Sequence, residues 1–208
     1  MSVEGKIQAL NNAIREAIPH MQSVTDENPN ADVLIRAVKF STGAQWHIPQ
    51  PTPVGDFKWT DLDTGGLTDM GKALSIVAEQ LKIPPMSDRA LPPVLVLISD
   101  GQPTDDFSGG LKELMDLPWG KKSVRIAIAV GEDADNEILQ QFIGASEIRP
   151  LQAHNAEQLV KYIKWVSTAV LKSASSPASQ ADTAGYTVIN VPIPTLPDNE
   201  PSSATDVW

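Results

Sequence analysis

The residues of this chain that could do chemistry are few, and most of what remains after elimination is oxygen. Its 208 residues include no cysteine, which excludes disulfides, thiolate metal sites and thiol nucleophiles. His20, His47 and His154 stand in three different settings, none with a serine and an acid at triad-like spacing. Gly65-Gly66 and Gly109-Gly110 are not followed by the Lys-Ser/Thr pair of a phosphate-binding loop. Two residues survive, Thr68 and Asp100. A hydroxyl and a carboxylate are hard donors, suited to a hard divalent ion such as Mg²⁺. Mg²⁺ demands octahedral coordination and dehydrates reluctantly, so two protein ligands alone imply weak binding.

The elements that must position this pair can be read from pattern. Val94 to Ile98 is an unbroken apolar run with prolines before it and Ser99-Asp100-Gly101 after it. Such a run predicts a strand buried on both faces, with Asp100 at its carboxyl end. Ligands of open parallel sheets bind at that edge. The plainer alternative is an aspartate that caps its own turn. Thr68 sits at the mouth of a helix whose apolar face is Met70, Ala73, Leu74, Val77, Ala78 and Leu81, with Thr68 or Asp69 as the N-cap. Ahead of these lie an amphipathic helix over 6–21 and a strand at Val33–Phe40. A hairpin partner comes next at Ala44–Ile48, ended by Pro49, Pro51 and Pro53. Behind them, helices at 109–117, 137–143 and 156–171 alternate with strands at 124–130 and 148–152. Trp46, Trp59, Trp119 and Trp165 read as ring packing. The order implies an α/β fold: a doubly wound, mostly parallel sheet flanked by helices, with one antiparallel edge strand. Such folds usually open on a strand; this one opens on a helix.

Composition sets the outer limits. One domain over residues 1–172 and a tail over 173–208 fit the length better than two domains. The tail holds five prolines, four acids and no Lys or Arg, the make-up of an acidic linker rather than a core. Tyr186–Val191 and Val207-Trp208 are apolar islands within it, candidates for docking motifs. A formal charge of −10 argues against nucleic acid or an anionic membrane as partner. With no apolar run long enough to span a membrane and no signal peptide, the simplest location is the cytoplasm.

The run LISDGQPTDD, preceded about 30 residues earlier by GGLTDMGKAL, resembles the von Willebrand factor A domain, most of all its bacterial tellurite-resistance-associated, TerY-like branch. The resemblance covers roughly residues 1–172. It implies a six-stranded sheet between helices and a metal-ion-dependent adhesion site at the carboxyl edge, where a partner's acidic side chain completes the coordination. By motif match, Thr68 is the metal-site threonine and Asp100 the metal-site aspartate. The family's first and central strand ends in Asp-x-Ser-x-Ser, and no such motif occurs here. Met1–Lys6 resembles the family's stretch just after that motif, so the central strand and most of the metal site are expected to be lacking. The family's order places that strand between Val33–Phe40 and Val94–Ser99.

The resulting expectation is a protein-binding adaptor without enzymatic activity. Resemblance to the TerY-like branch implies work beside a Ser/Thr kinase and a metal-dependent protein phosphatase in a stress-linked signalling set. A metal-free structural scaffold is the main alternative. An aspartyl-phosphate phosphotransferase is a weaker one, because the position two after Asp100, where a general acid is needed, is Gln102.

Overall fold

In a computed structural model of the protein, residues 4–27, 32–144, 148–170 and 172 are described. The expected tail, with its two apolar islands, lies outside them. Helix α1 (Glu4–Glu27) extends the expected helix at both ends and carries Pro19 in its interior. Its small and apolar residues Ala9, Leu10, Ala13, Ala17, Met21 and Val24 recur at helical spacing and are buried. Strands β1 (Leu34–Ser41) and β2 (Gly43–Pro53) form an antiparallel hairpin. The turn between them needs Gly43, whose φ of 86° few side chains tolerate. The expected stop at Pro49 does not occur: β2 runs on through Pro49 and Pro51 to Pro53. Among the described residues β2 pairs with β1 alone, so prolines on its outer side remove no ladder bond.

Helix α2 (Met70–Gln80) leads to β3 (Val94–Ser99), and α3 (Phe107–Asp116) and a short α4 (Pro118–Lys122) come after it. Then come β4 (Val124–Val130), α5 (Asn136–Ile143), a three-residue β5 (Leu151–Ala153), and α6 (Ala156–Trp165), which runs into a π-helical turn at Val166–Val170. Strands β3, β4 and β5 pair in parallel in that order. One core lies between this sheet, α1 and α6, around Ile126, Ile128 and Leu159. A second lies on the other face, around Met70, Leu114, Leu139 and Ile143. The helix ends are capped as their sequences imply: Asp135 accepts from the amides of Glu137 and Ile138, and Asn155 from that of Gln158.

The expectation that Val94–Ile98 is a strand buried on both faces is corrected. β4 is the middle strand of the parallel sheet, and six of its seven residues are buried. β3 is an edge: Val96, in its middle, is 40% exposed, and among its apolar residues only Leu97 is buried. The run is as apolar as β4, but among the described residues no strand covers its outer side.

Candidate functional site

Thr68 and Asp100 both stand where the strands end. The carboxyl ends of β1 and β3 meet at one cluster, because the Asp69 amide donates to Ser41 O at 3.1 Å while Thr68 and Thr104 clasp each other. The Thr68 amide donates to Thr104 Oγ1 at 2.9 Å, and the Thr104 amide donates to Thr68 O at 3.0 Å. The loop after β3 is thereby fastened to the residue before α2. A Cβ at Gly101 would lie 3.6 Å from Thr68 Oγ1, an ordinary contact, so the approach does not depend on a glycine there. Thr68 and Asp100 are half-buried and line the same cleft.

Three acids of this cluster have structural work. Asp69 is buried and accepts from the Gly43 amide at 2.8 Å, from Thr104 Oγ1 at 3.1 Å and from Lys72 Nζ at 2.5 Å. The Lys72 ammonium, then the Gly43 amide and the Thr104 hydroxyl, hold its carboxyl below the ordinary aspartate range. Lys72 in turn is raised, chiefly by its bond to Asp69. Asp69 occupies the N-cap position of α2 without making a side-chain cap bond. That cap comes from Asp105, whose two oxygens accept from the amides of Gly71 and Lys72, both at 2.8 Å. Asp106 caps α3 by accepting from Gly109 N at 2.9 Å. In the sequence these are the two acids of PTDD, and only their position after a strand-end Asp-Gly hinted at a role.

Helices α2 and α3 can present these caps because two glycines let them touch. A Cβ on Gly110 would fall 2.3 Å from Gly71 O, and one on Gly71 would fall 2.2 Å from Asp106 O. Gly110 thus serves helix packing, while a Cβ on Gly109 would fall 2.2 Å from Asp106 Oδ2, within the cap of α3 itself.

The cleft itself is large, about 1060 Å³. Every residue of β1 and of β3 lines it, with Ile7, Leu10 and Ile14 of α1 on one side and Leu74 and Val77 of α2 on the other. Thr68 and Asp100 lie at its end. Among the described residues, no group of three or more His, Asp or Glu is placed to hold a metal ion. Hard oxygen donors of the right kind are therefore present at the mouth, but too few to cage Mg²⁺ by themselves. The histidines stand elsewhere: His47 stacks edge-on against Trp59 and bonds to Thr60 O, and His20 is exposed. The tryptophans pack as expected, Trp119 buried and Trp46 under the Arg36 guanidinium at 3.5 Å. No described helix is long and apolar enough to cross a membrane.

A parallel sheet between helices, with a threonine and an aspartate presented together at its carboxyl edge, defines the class: an α/β domain with an oxygen-lined crevice at the strand ends. The model of the von Willebrand factor type A domain matches residues 57–164, and the chain belongs to that family. Solved structures agree on the fold. Proximal thread matrix protein 1 from the mussel byssus, described with a zinc-occupied MIDAS motif, superposes with a TM-score of 0.58 at 17% identity, over 79% of this chain and 43% of that one. A von Willebrand factor type A protein from Catenulispora acidiphila gives 0.59 at 16% identity, over 79% and 38%. The chain thus spans about two fifths of these structures' length. Among curated proteins no match is found.

Proposed function

We propose that this protein is a non-enzymatic, protein-binding module of von Willebrand factor A type, whose recognition surface is the carboxyl edge around Thr68 and Asp100. The observation that carries the reading is the joint placement of those two oxygens at the mouth of one cleft, braced by Thr104, Asp69 and Asp105. The bonds of that brace serve to fix loops, and among the described residues no nucleophile with a base beside it stands at the mouth. A relative of the same fold is described as holding zinc in its MIDAS motif. By analogy, a divalent ion here takes Thr68 and Asp100 and looks outward to an acidic side chain of the partner.

Asp-x-Ser-x-Ser occurs nowhere in the 208 residues, and on this reading the family's first strand and three of its ligands are what the site lacks. The site is incomplete, and Mg²⁺ binds it weakly. The likeness of GGLTDMGKAL and LISDGQPTDD to the TerY-like branch supports a role in a cytoplasmic, tellurite- and stress-linked set, with a Ser/Thr kinase and a metal-dependent phosphatase as partners.

Affinity capture on the immobilised chain, in Mg²⁺ and in EDTA, tests this. Enrichment of a kinase or phosphatase that EDTA and Asp100→Ala both abolish supports the reading. Enrichment indifferent to both favours a metal-free scaffold. Incorporation of phosphate at Asp100 would contradict the non-enzymatic reading.

A further inference from the structure

Among the described residues, the loop that carries Thr68 also carries the one large apolar side chain exposed at the carboxyl edge. Four large hydrophobics of the described chain are exposed: Leu34, Leu67, Ile83 and Val96. Leu34 opens β1 at the opposite edge of the sheet, Ile83 follows α2, and Val96 lies in the middle of β3. Leu67, 57% exposed, directly precedes Thr68 and lines the same cleft as Thr68 and Asp100. Its exposed surroundings are polar: Asp63 and Thr64 on its own loop, and Gln102, Thr104 and Asp106 on the loop after β3.

The backbone around Leu67 is fixed from two sides. Its amide donates to Thr42 Oγ1 at 3.2 Å, and the next amide, that of Thr68, donates to Thr104 Oγ1 at 2.9 Å. One residue further, the Asp69 amide donates to Ser41 O at 3.1 Å. On the other side, Gly66 has a φ of 83° and lies close against the β1–β2 turn. A Cβ there would fall 2.8 Å from both Thr42 N and Thr42 Oγ1, so the loop seats on the turn only with glycine at this position. The hairpin turn and the loop after β3 thus grip residues 66–69 between them, and Leu67 projects from a segment that is held.

Single apolar side chains are ordinary on a protein surface. What separates Leu67 from Leu34 and Ile83 is its junction with the two oxygens. Consecutive Cα atoms are about 3.8 Å apart, and residues of an extended peptide follow at about 3.3 Å. A peptide whose carboxylate is directed at Thr68 and Asp100 therefore brings the residue next to that carboxylate up to Leu67. A polar neighbour gains nothing there, whereas an apolar one is removed from water together with the leucine.

We infer that Leu67 determines specificity at this edge, and that the partner segment it fits is an acidic peptide with a bulky apolar residue beside the carboxylate. The inference rests on the reading of the Thr68–Asp100 edge as a protein-binding surface and adds the chemistry that selects among acids. Carboxylates are common on every protein surface; one flanked by an apolar side chain is less so, and discrimination is a difference of affinities between the two. The oxygens orient the segment and Leu67 supplies the apolar contact.

Random linear peptides displayed on phage, selected on the full chain in excess Mg²⁺, test this. The enriched sequences are synthesised and titrated against the parent, Leu67→Ser, Leu67→Met and Asp100→Ala. The expected consensus is Asp or Glu beside Leu, Ile, Met or Phe. Leu67→Ser is expected to weaken these peptides at least about tenfold, and Leu67→Met to retain most of the affinity. As a surface change, Leu67→Ser should leave the melting temperature within about 2 °C of the parent. A larger fall would make Leu67 part of the fold and overturn the inference. An acidic consensus with no preference at its neighbours, bound equally by the parent and Leu67→Ser and lost with Asp100→Ala, overturns the inference and leaves the protein-binding reading standing. Peptides lost with Leu67→Ser but bound equally by Asp100→Ala and in EDTA would overturn that reading, and with it the pairing of acid and apolar residue. A selection that enriches nothing above a blank surface counts against the inference as well.

Discussion

Asp69 shows how a residue of the site is held rather than used. Its carboxylate ties the β1–β2 turn, the loop after β3 and the first turn of α2 together through Gly43, Thr104 and Lys72. Those donors favour the charged form and depress its pKa on folding. A depressed pKa contributes stability that is complete above the unfolded value, about 3.9, and is lost as pH falls through the folded value. Asp69→Asn is therefore expected to lower the urea midpoint at neutral pH, with the gap to the parent closing as pH drops below about 4. A gap constant from pH 7 to pH 3 would show that the charge does not matter. Asp105 makes a simpler prediction. As the cap of α2, its replacement by Ala should cost about 1 kcal/mol in denaturant unfolding, whereas Asp106→Ala acts only on α3. That Thr68 and Asp100 stand together at the carboxyl edge was legible from pattern and motif. Asp105 was not, because a cap supplied by a distant loop leaves no mark in the helix it caps.

At the scale of elements, pattern located nearly every helix and strand, because most carry a strong run or face of apolar residues. It misjudged β3. Five consecutive apolar residues look alike whether they are covered or are waiting to be, and only the pairing partners distinguish the cases. Two substitutions separate β3 from β4. Ile128→Ala, in a side chain with no exposure, should cost about 2–5 kcal/mol. Val96→Ala should fall within about 0.5 kcal/mol, as at a surface site. Equal losses would mean that something covers Val96 in solution. The α2–α3 contact is an element-level device as well. Gly110→Ala must push the two helices apart, and a loss of about 1–3 kcal/mol is expected. Since that contact seats Asp105 on α2, the variant should also loosen the Thr68–Thr104 clasp, visible as faster exchange of the Thr68 and Thr104 amides.

For the whole molecule, two facts are one. Among the described residues the sheet is split into a hairpin and a three-stranded half, and at the split stand two hard oxygen donors, Thr68 and Asp100. Residues 1–208 alone are therefore expected to bind Mg²⁺ weakly in calorimetric titration. Low-micromolar affinity abolished by Asp100→Ala would show that two ligands suffice. The most direct measurement of the account is amide exchange on residues 1–208 without additions, comparing β3 with β4. The paired side of β3 faces β4, so its alternate amides face the cleft. The account predicts that those alternate amides of Val94–Ser99 exchange far faster than the amides of Val124–Val130. Uniform protection of both strands would contradict it.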